Sequence, residues 1–356
     1  MTSNSPLISI VIPTLDRAHL LRQALASLQH QTLQDWEALV VDDGSQDSTE
    51  QEIMQMSHLD PRIHYLKRSG EKAGANICRN LGTRHAQGKY VIYLDSDDCL
   101  SPESLAQRFQ CMEKAPDLDF GLFPCIIFRE HWTDLQLLVN DEKDVNDIDR
   151  FLGFDMPWQT MCPIWRREAL NLLGDWDEEL SSWQDFEFHF RALTKGFKYQ
   201  RFPYPDCFWR VFQDGSISDR SRSSAQLNTY RKLLVKLQKM LTSAELLTPQ
   251  RLYLLGGFYF WLMDLWAKEG DQSEALEIWL LGYECGVINA RFYRQGVLYI
   301  HASTSRWLPY TMLRRVARRL LREYFKLTWP EKMLPKPSTT FRNTPLSQYA
   351  TSLIFE

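Results

Sequence analysis

Tyr90-Val91-Ile92-Tyr93-Leu94-Asp95-Ser96-Asp97-Asp98 is the stretch on which the reading of this chain turns. Five apolar or aromatic residues run together and then stop in three carboxylates. A short continuous apolar run marks a strand buried on both faces, as a parallel sheet requires. In an open α/β sheet, ligands bind outside the carboxyl ends of the strands, which is where these acids fall. Carboxylates gathered at one strand end repel one another unless a cation sits among them. Hard oxygen ligands suit Mg2+ or Mn2+, and a partly hydrated ion of that kind grips a diphosphate. Taken alone, the acidic tetrad is also a solvated turn leading into a helix capped by Ser101-Pro102, so its surroundings must decide.

Outward from there, the same pattern recurs. Residues 7–12 (LISIVI) read as another buried strand, followed by the loop Pro13-Thr14-Leu15-Asp16. Leu20, Leu21, Ala24, Leu25 and Leu28 then repeat at helical spacing. Residues 38–41 form a strand that ends in the turn Asp42-Asp43-Gly44-Ser45, and Ser48 with Gln51 resembles a capping box. Residues 63–66 read as a strand and 75–86 as a helix; Leu105, Phe109 and Met112 share one face of the next helix. This alternation specifies an α/β fold, a mostly parallel central sheet flanked by helices. Two strand ends on the same edge then carry acids, Asp42/Asp43 and Asp95/Asp97/Asp98. Residues 118–215 are less regular, with strands near 120–128 and 198–212 and a helix over 183–195. From about 222 the texture is helical, at 225–241, 249–268, 272–285 and 289–301, with Gly270-Asp271 as a break. The expected organisation is an α/β domain over 1–220, a helical domain over 221–330, and a Pro-, Ser- and Thr-rich tail over 331–356 of poor order.

The totals narrow the function. A net charge of −4 over 356 residues supplies no basic field for nucleic acid. Seven cysteines, an odd number with no CxxC, argue against a disulfide framework and a thiolate zinc site, and favour a reducing compartment. The opening MTSNSPL lacks a basic stretch followed by an apolar one, so a cytoplasmic location is expected. The apolar run 252–266 is too short to span a bilayer and carries Asp264, which predicts a buried helix. The 12 tryptophans are read chiefly as core, with one or two available to lie against a sugar ring.

The blocks Ile8-Ser9-Ile10-Val11-Ile12-Pro13-Thr14, Val40-Val41-Asp42-Asp43-Gly44-Ser45, Ala75 to Asn80 (ANICRN) with Gly82, and Tyr90 to Asp98 resemble, in order and spacing, family 2 glycosyltransferases of the GT-A fold. A later block, Gly174-Asp175-Trp176-Asp177-Glu178 through Trp183-Gln184-Asp185-Phe186-Glu187 to Arg191, is similar to that family's acceptor-side motif. The resemblance implies an inverting transfer of a sugar from a nucleotide diphosphate donor, a UDP-sugar by preference, to a carbohydrate or lipid-linked hydroxyl acceptor in surface polysaccharide or glycolipid assembly. It implies that Pro13, Thr14 and Asp16 line the nucleoside pocket and that Asp43 accepts a hydrogen bond from the base. Arg79 would lie near the nucleotide or its phosphates, and Asp95 on the ribose or metal side. Asp97, with Asp98 nearby, would ligate Mn2+ or Mg2+, and Asp185 would be the general base. Trp183 would stack on an acceptor sugar or pack in the core, and Glu187 would be structural or acceptor-binding. Two positions depart from the family: Gln184 stands where a second acid is usual, and Trp209-Arg210-Val211-Phe212-Gln213 lacks the family's histidine. The planar fork of Arg210 still suits phosphate oxygens.

Near the end, Leu313, Val316, Ala317, Leu320, Leu321, Tyr324 and Phe325 share one helical face, and Arg314, Arg315, Arg318, Arg319, Arg322 and Lys326 the other. With Trp307 and Trp329 flanking it, 313–326 reads either as a membrane-surface helix or as a helix packed on the protein with a solvated basic face. Two other functions compete. A nucleotidyltransferase or Mg2+ phosphohydrolase calls for a Gly-rich phosphate loop or a DxDxT after the first strand, where Pro13-Thr14-Leu15-Asp16 stands instead. A non-catalytic nucleotide-sugar-binding scaffold draws its support from Gln184 and Phe212.

Overall fold

The computed structural model describes residues 5–70, 73–131, 134–135, 137–139, 143–211 and 224–305, and the short pieces 315–316, 319–320 and 342–343. These fall into two compact units. One takes the chain to Lys143, then Met156–Arg220 and Thr339–Glu356; the other takes Asp144–Asp155 and Ser221–Ser338.

In the first unit, β1 (Ile8–Thr14), α1 (Ala18–Gln29), β2 (Trp36–Asp42), α2 (Thr49–Leu59), β3 (Ile63–Lys67), α3 (Ala75–His85) and β4 (Tyr90–Tyr93) alternate as the apolar runs predict. Every residue of β1, β2 and β4 is buried, because helices cover both faces of a parallel sheet. β1 pairs in parallel with β2 on one side and β4 on the other, so the ends of all three face one edge. Gly82 lets α3 sit close on β1, since a Cβ there would collide with Val11. β5 (Cys99–Leu100) and α4 (Ser104–Lys114) follow the acidic loop, then β6 (Phe120–Leu122), β7 (Cys125–Phe128) and β8 (Leu137–Val139).

The helical unit begins with α5 (Asp147–Leu152), which falls inside the stretch assigned to the first domain on sequence. The chain then returns to the sheet unit for β9 (Pro163–Arg166), α6 (Arg167–Leu173), α7 (Gln184–Thr194), β10 (Tyr199–Arg201) and β11 (Cys207–Arg210). The central sheet runs β10-β6-β9-β4-β1-β2-β3, and β9 is antiparallel to both β4 and β6. A second sheet, which the sequence did not announce, runs β12-β8-β7-β11-β5, where β12 is Arg342–Asn343. Its strands are two to four residues long, too short to leave a periodic signal.

Two capping expectations are corrected. Ser48 stands at the start of α2, but its hydroxyl donates to Glu52 at 3.1 Å; the nearby carboxylate of Asp47 takes the Thr49 N–H at 2.9 Å. Ser101 does not cap α4, which begins at Ser104. Its N–H instead donates to the Asp206 carbonyl at 2.8 Å, and its own carbonyl accepts from Gln31 at 2.6 Å.

Arg108 and Asp206 form a wholly buried fork, with Nε to Oδ2 at 2.7 Å and Nη2 to Oδ1 at 2.6 Å. The pair ties α4 to the segment entering β11. Replacing Arg108 by Met strands the carboxylate away from water. Such a change costs about 3–5 kcal/mol, to be read as a lower free energy of unfolding in urea. An Arg108→Met variant as stable as the parent would remove this pair from the account of the sheet unit.

In the helical unit α8 (Ser224–Ser243), α9 (Pro249–Glu269), α10 (Gln272–Glu284) and α11 (Ala290–Thr304) follow the periodicity. Gly270 ends α9 at φ 89°, and Asp271 opens α10 by accepting the Glu274 N–H at 3.0 Å. Asp264 is buried within α9 because Tyr299 donates to it at 2.6 Å and Lys268 pairs with it at 2.7 Å. No described helix is long and apolar enough to cross a membrane. Arg251 of α9 reaches Asp149 of α5 at 2.7 Å, which is one reason α5 belongs to this unit. Of the basic segment 313–326, only Arg315, Val316, Arg319 and Leu320 are described, and all four are exposed; the rest of that segment, Phe212, and nearly all of the tail lie outside the described residues.

Candidate active site at the strand ends

The site grows from the ends of β1, β2 and β4. The Asp43 N–H donates to the Thr14 carbonyl at 2.9 Å, which closes the β1 and β2 ends together. The two acids after β2 separate at once. Asp42 is fully buried and accepts from the N–H groups of Gly44 and Ser45, the Ser45 hydroxyl and the Tyr65 hydroxyl. It builds the turn. Asp43 faces the other way and is gripped by Arg68, which also donates to its carbonyl at 3.1 Å. Asp16 adopts φ 50° and accepts the Gln46 N–H at 2.6 Å, so it pins the β1 loop to the β2 loop. Pro13 is the penultimate residue of β1. The Thr14 hydroxyl is buried with no partner among the described residues.

Along α3, Asn76, Arg79 and Asn80 share one face by their three- and four-residue spacing. Asn76 donates to the Asp177 carbonyl at 2.6 Å, and Asn80 exchanges hydrogen bonds with the Trp176 backbone at 2.8 and 3.0 Å. Two motifs about a hundred residues apart are therefore one structure. Arg79 is buried between them. It donates to Asp95 at 2.7 Å, to Asn76 at 3.2 Å and to Gln184 at 3.3 Å, and lies over Trp176. Its Nε has no partner among the described residues.

The acidic loop divides its three carboxylates. Asp95 takes Arg79. Asp97 pairs with Arg17 at 2.7 Å. Asp98 turns inward, 4% exposed, and accepts the Arg210 N–H at 2.9 Å. Burial, then the charge of Asp95, raises the Asp97 carboxyl above its ordinary range, and Arg17 opposes this. Burial, then Asp97 and Asp95, raises Asp98 much further. Among the described residues no three His, Cys, Asp or Glu side chains converge as a ready metal cage. The Arg210 guanidinium donates to the Asp97 carbonyl at 2.9 Å, the Arg129 carbonyl at 2.8 Å and the Gln23 side chain, so it braces this loop.

Asp185 is the second residue of α7. Its carboxylate accepts the Phe186 N–H at 2.9 Å, and burial raises its pKa, with Asp95 adding to the rise and the Phe186 N–H and Arg79 opposing it. A helix start also favours a negative side chain. Trp183 precedes the helix in a left-handed conformation, φ 56°, and stacks on Phe186. Glu187 points into the protein and is held by Arg191 at 3.0 and 3.2 Å, an i,i+4 pair beneath the site. Gln184, the departure from the family pattern, holds Arg79. Arg17, Arg68 and Gln23 carry no signal in the sequence, and Asn76 and Asn80 stand in the quoted block 75–80 without an assigned role; polar residues at helical spacing in 76–80 are the signal that marks them.

A mixed sheet whose parallel strands end in a group of acids, followed along the chain by a helical unit, is the GT-A architecture. Residues 9–165 match the model of Glycosyl transferase family 2, and residues 90–267 that of Glycosyl transferase family group 2. The chain belongs to the family 2 glycosyltransferases. It is 34% identical over 125 residues to the GalNAc(5)-diNAcBac-PP-undecaprenol beta-1,3-glucosyltransferase of Campylobacter jejuni, covering 35% of this chain and 40% of that one. It is also 34% identical over 108 residues to the UDP-Glc:alpha-D-GlcNAc-diphosphoundecaprenol beta-1,3-glucosyltransferase WfgD of Escherichia coli, covering 30% and 42%. The match thus spans less than half the length of either relative. Among solved structures, Staphylococcus aureus TarS 1-349 in complex with UDP-GlcNAc aligns with a TM-score of 0.64 at 16% identity, over 90% of this chain and 92% of that one, a likeness of fold.

Proposed function

We propose that this chain is an inverting glycosyltransferase that takes a sugar from a nucleoside diphosphate donor, a UDP-sugar by preference, and transfers it to a hydroxyl of a lipid-linked or other glycan acceptor. One observation carries the reading: Arg79 joins Asp95 of the acidic loop to Gln184, the neighbour of Asp185. A single buried guanidinium therefore spans from the donor side to the candidate base. The Arg79 Nε and the Thr14 hydroxyl, which have no partner among the described residues, are donors available to a ligand.

Asp185 takes the acceptor hydroxyl's proton as the oxygen attacks the anomeric carbon from the face opposite the leaving diphosphate, which inverts that centre. Burial raises the Asp185 carboxyl above its ordinary range, which suits this task because it makes the carboxylate a stronger base. Asp43, with Pro13, Thr14 and Asp16, would hold the base and ribose, and Asp95 would face the ribose. Mn2+ or Mg2+ would be held at Asp97, a carboxylate that lies beside Asp95 and whose one ion pair among the described residues is with Arg17. Such an ion, when bound, neutralises charge developing on the diphosphate. The relatives' undecaprenyl diphosphate acceptors favour a lipid-linked acceptor, and with it a role in surface polysaccharide or glycolipid assembly. Docking of 313–326 on the cytoplasmic face of a membrane belongs to the same proposal.

The test is a panel of UDP-, GDP- and dTDP-sugars scored by thermal shift with and without Mn2+, followed by transfer to an undecaprenyl-diphosphate-linked sugar. A metal-dependent shift with a UDP-sugar and transfer with inversion are expected. No shift with any donor would end the proposal.

A further inference from the structure

Four arginines border the candidate site, and three are locked. Arg79 and Arg210 each make three side-chain hydrogen bonds, and Arg68 binds the Asp43 carboxylate, the Asp43 carbonyl and the Gly70 carbonyl. Arg17 differs. Among the described residues its guanidinium makes one bond, Nη1 to Asp97 Oδ2 at 2.7 Å, and its side chain is 28% exposed. Its backbone is fixed, since its carbonyl accepts the N–H groups of Leu20 and Leu21 at the start of α1. A tethered cation with one bond and a free edge can pivot where the others cannot. It is also the only cation ion-paired with the Asp97 carboxylate among the described residues.

A divalent ion and a guanidinium cannot both sit against one carboxylate without repelling each other. Either Arg17 stays and the ion is kept off Asp97, or the ion arrives and Arg17 must leave. Once displaced, Arg17 remains anchored at the cleft edge, next to Asp16 in the loop after β1, with a planar fork suited to phosphate oxygens. We propose that Arg17 is an internal counter-ion that holds Asp97 while no donor is bound and moves onto the diphosphate when the metal takes its place. This rests on the reading of the cleft as a metal–diphosphate site. It adds a coupling: metal alone binds against Arg17, and metal with diphosphate binds with it.

The experiment measures Mn2+ binding to the full chain by loss of the free-ion electron paramagnetic resonance signal, with and without UDP, for the parent, Arg17→Met and Arg17→Lys. Without UDP, Arg17→Met binds Mn2+ more tightly than the parent, on the order of tenfold, the scale on which a neighbouring charge shifts a carboxylate's affinity for a cation. With UDP that advantage disappears or reverses, because the variant has lost a phosphate contact. Arg17→Lys keeps the charge and stays near the parent. Raising the salt shrinks the gap between Met and parent. A merely structural role predicts the opposite sign, since an Asp97 left unpositioned binds metal less well. Equal or weaker Mn2+ binding by Arg17→Met without UDP overturns the inference, as does a lysine variant that binds as tightly as the methionine one. If the parent itself takes up no Mn2+ with UDP present, the fault lies with the metal–diphosphate reading and not with Arg17 alone. Thermal midpoints within a few degrees of the parent confirm that the variants are folded.

Discussion

Asp185→Asn lowers kcat for sugar transfer on the order of 10²–10⁴-fold and leaves donor binding near the parental value. The side chain keeps its shape and can still accept the Phe186 N–H, so the start of α7 is preserved. What it loses is the capacity to take a proton. The loss therefore falls on kcat, with KM for the donor nearly unchanged, as when an interaction made only in the transition state is removed. A second consequence separates this from general damage. The Asp185 carboxyl is raised in the folded protein, chiefly by burial. A raised carboxylate pKa means that folding favours the protonated acid, so the ionised form costs stability and the cost grows as pH rises through that pKa. At neutral pH the asparagine variant is expected to melt at a higher temperature than the parent while being inactive. For the parent, transfer falls on the acid side at a pH above the ordinary carboxylate range, because the base must be ionised. A variant that transfers sugar at the parental rate moves the base elsewhere.

Asp97→Ala is expected to abolish the metal-dependent part of donor binding, a loss on the order of 10²-fold or more. Calorimetric titration of UDP in Mn2+ and again in EDTA reads it directly. In EDTA the variant should bind UDP no more weakly than the parent, and in Mn2+ it should bind more weakly. The difference isolates the metal from the proposed nucleoside contacts, because Thr14, Asp16 and Asp43 stand at the ends of β1 and β2 and not on the acidic loop. The side chain is only partly buried, 18% exposed, and its backbone is braced by the Arg210 guanidinium, so the loop keeps its course without the carboxylate. Metal-dependent binding of UDP at parental strength by this variant would remove Asp97 from the metal's coordination.

The central strands were legible because burial on both faces forces an unbroken apolar run, and each run in 7–12, 38–41, 63–66 and 90–94 became a strand within two residues of its expected ends. The helices of 224–305 were legible for the same reason at a different period. β5, β7, β8 and β11 were less so, since strands of two to four residues carry too few side chains to show alternation, and their pairing joins segments such as 99–100 and 207–208. The capping expectations failed because a hydroxyl at a helix start chooses among competitors that only the fold supplies: Glu52 drew Ser48, and Asp206 drew the Ser101 backbone.

Within the site, the residue types and their order were readable, and their partners were not. Asp42 and Asp43 are adjacent and chemically alike, but successive residues at a strand end point to opposite sides. One became the keystone of a turn and the other met Arg68. Asp97 and Asp98 parted in the same way, toward Arg17 and toward Arg210. Gln184 looked like a lost acid, and its amide oxygen receives Arg79.

By itself the sequence determined that this chain builds a parallel α/β sheet with acids at the ends of two strands, followed by helices, because periodicity and strand-end chemistry are local properties. Tertiary structure alone decided which carboxylate meets which guanidinium, since Arg17 and Asp97 lie 80 residues apart and Arg79 and Gln184 lie 105 apart. Charge pairing is a matter of a few ångströms in space, and no spacing along the chain encodes it.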